Sequence, residues 1–412
     1  MPGTFSIITF GCKSNQYDSQ LWRRMLTDAG WTESPGAGDV FLVNTCTVTA
    51  AADRQARQAV RRARKASPGA RIVVAGCAGE VSGSSFARMP EVDLAVGRHC
   101  PENAVKVALF LGMPGPAPAR TIEAFAGHTR AFIKVQDGCG HGCSYCVVPR
   151  ARGASRSRDL AEVVAEAGAL IAAGHRELVL TGIRLGDFRP SLGLLMAALA
   201  GLPGLARLRL SSLEPDDVAD DLLDAFTRLP AAARHLHLPL QSGSDRILSA
   251  MGRPYDLERY RTILAGISGK VPGTTFGADL MVGFPGETEE DFQKSLRAAL
   301  ELPISHLHVF AYSRRPGTRA AVMPGQVPEA IKRERSQRLR DEFLQKRNGL
   351  WRGLVGTQET VLFETLQNGL WTGLAEHYFR VTVASQEDLG NRMHRVRLTS
   401  VSEGGLAGEL EP

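Results

Sequence analysis

The chain has 412 residues, 43% of them hydrophobic and 22% charged, enough for two or three domains with cores of their own. Its formal net charge of +6 is a modest basic excess, and no apolar run is long enough to span a bilayer. Seven cysteines, odd in number and clustered, follow a start without the basic and apolar pattern of a secretory signal. This excludes a secreted disulfide framework and leads to the expectation of a cytoplasmic protein that uses its thiols as metal ligands.

Residues 1–110 read as a strand–helix repeat. A strand over 6–10 precedes a helix over about 18–29, a second strand over 40–43 precedes an arginine-rich helix, and a third strand covers 71–75. Short apolar strands alternating with helices imply an open, buried parallel sheet, so the fold class is α/β. Cys12, Cys46 and Cys77 each stand just past the C-terminal end of one of these strands. Those ends share the sheet edge where ligands normally bind, and three thiols distant in sequence would converge there. Three separately buried cysteines are the alternative, since cysteine is often buried. Cys100 lies several residues past a fourth strand-like run, 92–96, and is read as a non-ligand.

Alternating Pro and Gly over 111–118 favours an extended spacer, and a linker is expected over 111–129. From 130 to 349 strands are expected at 131–136, 177–181, 206–212, 235–240, 274–283 and 306–312, with amphipathic helices such as 159–173 and 288–302 between them. Six such units suit a partial (β/α)6 barrel, whose active-site groups come from the C-terminal strand ends. The first strand leads into Cys139-Gly140-His141-Gly142-Cys143-Ser144-Tyr145-Cys146. Three thiols at C-x3-C-x2-C spacing can hold three corners of a cubic iron–sulfur cluster and leave the fourth iron open. Zinc is the alternative, with His141 as a fourth ligand. His235 and His237 alternate on the fourth strand, and the expectation is that one lines the barrel while the other packs outside it.

Residues 350–412 change character. Runs at 361–363, 378–383 and 395–398 alternate around Gly- and Asn-containing turns, which reads as a small antiparallel β-barrel. Basic residues crowd three places: Arg54 to Lys65, Arg150 to Arg158, and Lys332 to Arg352. Such surfaces attract phosphate backbones, and a solvated helix face is the alternative.

The cysteine loop, with Tyr145 directly before its third thiol, resembles that of the radical S-adenosylmethionine (SAM) superfamily. The resemblance implies a [4Fe-4S] cluster on Cys139, Cys143 and Cys146 as the catalytic set, SAM on its open iron, and Tyr145 beside the SAM adenine. It continues at the later strand ends, where Thr181, Gly182, Glu214, Gln241, Ser242, Gly283 and Gly286 are the implied SAM contacts. The tail resembles a TRAM domain, an OB-like module that binds RNA. A three-cysteine N-terminal domain, a radical SAM barrel and a TRAM tail together resemble the methylthiotransferases over essentially the full chain. The segments 10–19, 43–49, 136–139 and 313–318 resemble the MtaB-type branch of that family.

What this resemblance implies is radical methylthiolation at C2 of N6-threonylcarbamoyladenosine, next to the anticodon in tRNA. The cofactors would be SAM and two [4Fe-4S] clusters, the second on Cys12, Cys46 and Cys77 holding the sulfur that is transferred. The implied partners are the tRNA anticodon stem-loop, an electron donor such as flavodoxin or ferredoxin, and a sulfur donor, with no membrane. The alternatives are the same chemistry on isopentenyladenosine in tRNA or on a ribosomal-protein aspartate, and a zinc-binding RNA-binding protein without catalysis.

Overall fold

The computed structural model describes residues 3–113 and 120–411; part of the expected Pro/Gly spacer, 114–119, lies outside them. The chain begins with a five-stranded, all-parallel sheet in the order β2-β1-β3-β4-β5. Its strands are β1 (Thr4–Thr9), β2 (Thr32–Glu33), β3 (Val40–Thr45), β4 (Arg71–Gly76) and β5 (Leu94–Ala95). Helices α1 (Lys13–Asp28), α2 (Ala50–Ala66), α3 (Cys77–Ala87) and α4 (Pro101–Leu111) follow strands β1, β3, β4 and β5. β3 is buried at every position, as a central strand covered on both faces must be. One core, with Phe5, Trp22 and Leu42, lies on one face, and a second, with Phe41, Val60 and Phe86, on the other. In this order the strand sequence reverses between β1 and β3, the switch point that opens a crevice at the C-terminal edge.

Six parallel strands then form two three-stranded sections: β6 (Ala131–Lys134), β9 (Glu177–Thr181) and β10 (Arg207–Leu210), and β11 (His235–His237), β12 (Thr275–Val282) and β13 (Ile304–Ala311). A small ribbon, β7 (Gln136–Asp137) with β8 (Arg156–Ser157), flanks them. The sections join where Leu208 N donates to Ala231 O (2.7 Å) and Ala233 N to Leu208 O (2.8 Å). The result is the expected partial barrel. A short helix, α5 (Val148–Arg152), follows the first strand's loop and packs toward the N-terminal layer. The further helices are α6 (Leu160–Ala172), α7 (Leu192–Ala200), α8 (Asp220–Arg228), α9 (Asp245–Met251), α10 (Leu257–Lys270), α11 (Glu289–Glu301) and α12 (Glu329–Arg352). Tyr17 and Leu21 of α1 belong to the core of this barrel, so the N-terminal layer packs directly against it.

The tail closes into a five-stranded barrel of β14 (Gln358–Gln367), β15 (Leu370–Ala375), β16 (Arg380–Ala384), β17 (Met393–Ser402) and β18 (Gly405–Leu410), in the order β14-β15-β16-β18-β17. The expected antiparallel pairing holds except between β16 and β18, which run parallel. An odd number of strands around a closed ring cannot alternate throughout, so one parallel neighbour is forced. Trp351, at the end of α12, belongs to the core of this small barrel.

The small barrel plugs the N-terminal end of the large one. Tyr378, in the left-handed region at φ 68°, stacks on His235 with ring centroids 4.7 Å apart. Glu177 lies between Arg207 (3.1 Å) and Arg209 (2.8 Å), all three buried. The two guanidinium groups also donate to Thr360 O, Leu374 O, Ala375 O and Glu376 O. Burial opposes the charge on Glu177, and the arginines overcome it, holding its carboxyl below the usual range. Glu177→Gln leaves two buried cations without their counter-charge. It is expected to lower unfolding free energy by about 3–5 kcal/mol in urea denaturation, whereas a loss under about 1 kcal/mol would show that the carbonyls suffice.

Candidate active site

The cysteine loop is positioned by backbone contacts that only glycine allows at its start. Gly138 has φ 77°, and a Cβ there would stand 2.0 Å from Ala154 O. Cys139 N then donates to Gly153 O (3.0 Å), and Cys146 N to Cys143 O (3.1 Å). Ser144 is bonded through both N and Oγ to the carbonyls of Met251 and Ala250 at 2.8 Å. Arg253 approaches Cys143 Sγ at 3.5 Å and forms a close ion pair with Glu214. His141 Nδ1 lies 2.6 Å from Arg184, which is paired with Asp217. That contact ties His141 to a neighbouring strand end.

Cys12, Cys46 and Cys77 meet at the switch point of the first sheet. Gly11 (φ 100°) packs so closely that a Cβ would lie 2.7 Å from Cys46 Cβ. Cys77 opens α3 directly after β4, and its Sγ lies 3.6 Å from Asn15 Oδ1. Asn15 Nδ2 donates to Phe10 O and Thr45 O, both at 2.8 Å, so one amide fixes the ends of β1 and β3 and touches the third thiol. The three thiols feel one another electrostatically. Cys100 is not among them: it caps α4, and its charged neighbours are Glu102 and Arg98.

None of the seven thiols is in a disulfide. Burial pushes Cys146 up to about 12 and Cys77 up to about 11, so neither ionises unaided at neutral pH. A metal that accepts thiolate reverses that balance, and two sets of three free thiols are a fitting donor set for iron–sulfur clusters.

The two sets are joined by one buried ion network. α5 begins two residues after Cys146 and ends in Arg152, which is only 1% exposed. Arg152 Nη2 donates to Asn15 Oδ1 (2.5 Å) and Asp18 (3.1 Å), and its Nη1 to Asp137 (2.9 Å). Lys134 also pairs with both carboxylates. Next to Cys146, a cavity of about 210 Å³ is lined by Val48, Thr49, Tyr145, Cys146, Gln241 and Tyr312. Gln241 has φ 69°, and its buried Oε1 has no partner among the described residues. A strained residue with an unused acceptor fits a ligand contact.

The other expected contacts are distributed unevenly. Thr181 ends β9, and Gly182 leaves room for Gln136, whose Oε1 accepts from Ile183 N and Arg184 N at 2.9 Å. Ser242 is fully buried, with its Oγ 3.3 Å from Ser295 Oγ, so it braces α11. Gly283 and Gly286, both at positive φ, donate their N–H groups to Glu287 and Gly325 and shape the turn. His235 and His237 do not divide as expected. Residues two apart share a face of a strand, and both lie over Gly277 in the lumen. The basic runs also need correction: Arg152, Lys332 and Arg335 are buried, while Arg54, Arg61, Arg62 and Lys65 on α2 are exposed. Asn15, Asp18, Arg152 and Arg253 were not singled out by sequence as site residues, because nothing local marks them as partners.

The family described as uncharacterized protein family UPF0004 matches residues 4–97, and the radical SAM superfamily matches residues 133–299. A threonylcarbamoyladenosine tRNA methylthiotransferase MtaB of Bacillus subtilis is 34% identical, over 96% of this chain and 93% of its own length. That of Chlamydia pneumoniae is 35% identical, over 99% and 98%. The chain belongs to the radical SAM methylthiotransferase family, MtaB type. A tRNA-2-methylthio-N(6)-dimethylallyladenosine synthase of Sorangium cellulosum is 34% identical over 98% of this chain and 93% of its own. The structure also resembles the radical SAM methyltransferase TsrM of Kitasatospora setae, with a TM-score of 0.57 at 16% identity over 90% of this chain and 81% of that one, which shows the shared fold. A radical SAM methylthiotransferase is an enzyme that transfers sulfur-containing groups and uses SAM and a [4Fe-4S] cluster. Among the described residues no helix is long and apolar enough to cross a membrane.

The buried network carries a pH signature. Burial opposes the charge on Asp137, but Lys134 and Arg152 hold its carboxyl well below the usual range. A depressed carboxylate stabilises the fold above its unfolded pKa of about 4 and loses that contribution as pH falls further. The stability difference between the natural chain and Asp137→Asn should therefore be constant from pH 5 to 8 and shrink below about pH 4. A difference that instead grows on acidification would contradict this assignment.

Proposed function

We propose that the protein methylthiolates C2 of N6-threonylcarbamoyladenosine next to the anticodon of tRNA, in the cytoplasm. Cys139, Cys143 and Cys146 would hold the cluster that binds SAM, and Cys12, Cys46 and Cys77 a second [4Fe-4S] cluster that carries the sulfur. The observation that carries this reading is the short link between the two sets: Cys77, Asn15 and Arg152 follow one another at 3.6 and 2.5 Å, and α5 leads back to Cys146. Two thiol sets linked through one buried amide and one guanidinium suit a reaction that brings a sulfur and an activated carbon together.

A purine C2–H is neither acidic nor a leaving group, so proton transfer or nucleophilic attack by side chains has little purchase on it. Bound cofactors would supply one-electron cleavage of SAM at the first set and a sulfur source at the second. The chain's own groups orient and enclose. Tyr145, edge-on to Phe284 with centroids 6.5 Å apart, walls the cavity beside Cys146. Gln241 offers its free Oε1 from the opposite strand end. Arg253 sets the position of Glu214 and places positive charge beside Cys143. Val48 and Thr49 close the cavity from the N-terminal layer, where Ala50 N donates to Ser313 Oγ (3.0 Å) and Arg315 to Thr47 (2.7 Å). Excluding water there protects a reactive intermediate from side reactions.

The exposed arginines of α2 provide basic surface for the tRNA anticodon stem-loop, whereas the TRAM-like tail, with more acidic than basic residues, would contribute shape rather than charge. An external electron donor and a sulfur donor complete the cycle. SAM-derived deoxyadenosine should disappear in Cys139→Ala, whereas Cys46→Ala should keep SAM cleavage and lose sulfur insertion. Full product from Cys46→Ala would refute the second-cluster assignment. Mass spectrometry of tRNA nucleosides from cells with and without the gene tests the substrate. Loss and rescue of the 2-methylthio form of threonylcarbamoyladenosine is expected, and loss of the isopentenyladenosine derivative instead would move the protein to the branch named for the Sorangium cellulosum relative.

A further inference from the structure

Deeper in the barrel, three adjacent strands converge on side chains that the proposed reaction does not use. His237 of β11, Asp279 of β12 and His308 of β13 share the lumen face, with His237 opposite Gly277 and Asp279 opposite His308. Asp279 Oδ1 lies 3.2 Å from His237 Nε2 and 3.4 Å from His308 Nδ1, and the three donor atoms all lie within 4.8 Å of one another. Charge-assisted hydrogen bonds run shorter, at about 2.7–2.9 Å. The two separations from Asp279 match the edge of a tetrahedron, about 3.3–3.4 Å, whose corners stand about 2.0–2.1 Å from a shared ion.

Charge and space agree with that geometry. The Asp279 side chain is 21% exposed, and among the described residues its only ionic contacts are these two imidazoles. An enclosed carboxylate requires compensating charge, which a cation bound between it and the two imidazoles would supply. A Cβ on Gly277 would stand 2.7 Å from His237 Nδ1, so a glycine is what lets that ring lie over the strand. His306 Nε2 lies 3.0 Å from His308 Nε2, a contact to the second ring nitrogen of the kind that orients a ligating imidazole.

We propose that His237, Asp279 and His308 form a binding site for a divalent first-row metal ion of the zinc class, with three protein ligands and a fourth position open. Imidazole and carboxylate donors suit such ions, and three ligands with an open position leave room for an oxygen of water or substrate. The His308 side chain is 59% exposed, which gives the ion a path to the site from the barrel's side. The site contains no thiol and is therefore separate from both cysteine sets.

The test is a titration of the full chain, purified anaerobically with its iron–sulfur content intact, with zinc and with cobalt(II). The natural chain is expected to retain one equivalent beyond its iron, and the cobalt form to absorb in the visible as a tetrahedral ion without thiolate charge-transfer bands. Asp279→Asn and the milder His308→Gln should each bind at least tenfold more weakly, with iron content and circular dichroism unchanged. Cys46→Ala should keep the equivalent. No retained equivalent in the natural chain, equal affinity in both histidine-site variants, or loss in Cys46→Ala would each overturn the proposal.

Discussion

Arg152 is the side chain on which the arrangement depends. A guanidinium cannot be buried without anions and acceptors around it, and here Asp18, Asp137 and Asn15 provide them from two different layers. Asp18 and Asn15 stand on α1, while Asp137 and Arg152 flank the cysteine loop. The cost of leaving any one of them unpaired forces α1 against the barrel edge. Once that contact forms, the ends of β1, β3 and β4 face the loop after β6, and both thiol sets reach the same junction. Tyr17, hydrogen-bonded to Glu166 at 2.8 Å, seals the neighbouring surface. The apolar packing of Tyr17 and Leu21 supplies area, and the charges supply register.

The same division of labour recurs at the opposite end of the barrel. Leu236, Leu238, Phe276 and Leu280 face the surrounding helices and make the large apolar core. The alternate residues face inward and are polar: Glu177, Arg207, Arg209, His235, His237 and Asp279. A lumen filled with charge is stable only if each charge is answered, and the carbonyls of the 374–376 segment answer the two arginines. The polar interior thus requires the small barrel as its floor.

Much of this was legible in the sequence because it follows from local periodicity. The strand positions, the placement of Cys12, Cys46 and Cys77 after successive strands, and the C-x3-C-x2-C loop depend on residues close in the chain. What was misread depended on partners far away. Arg152 sits in a basic run, and its sign was readable, but Asp18, 134 positions earlier, was not readable as its partner. Lys332 and Arg335 lie in a helix that looks like a charged surface, yet Arg335 pairs with Glu287 at 2.7 Å beneath it. The two histidines of β11 were assigned to opposite faces although a two-residue spacing puts them on one. The inward role of Ser242 depends on Ser295 of α11 and left no trace in the loop that contains it.

The plug formed by Tyr378 and the arginine–carbonyl contacts has a mechanical meaning. A module tethered by a flexible strap samples many distances, and a long substrate gripped by it could present any of its parts to the chemistry. Here the tail is bolted through the floor of the barrel, and Trp351 anchors the helix that leads to it. The interval between the tail's outer face and the mouth of the cavity is therefore fixed by backbone. A substrate that touched both would be gauged like stock in a caliper, with its reacting position set by length.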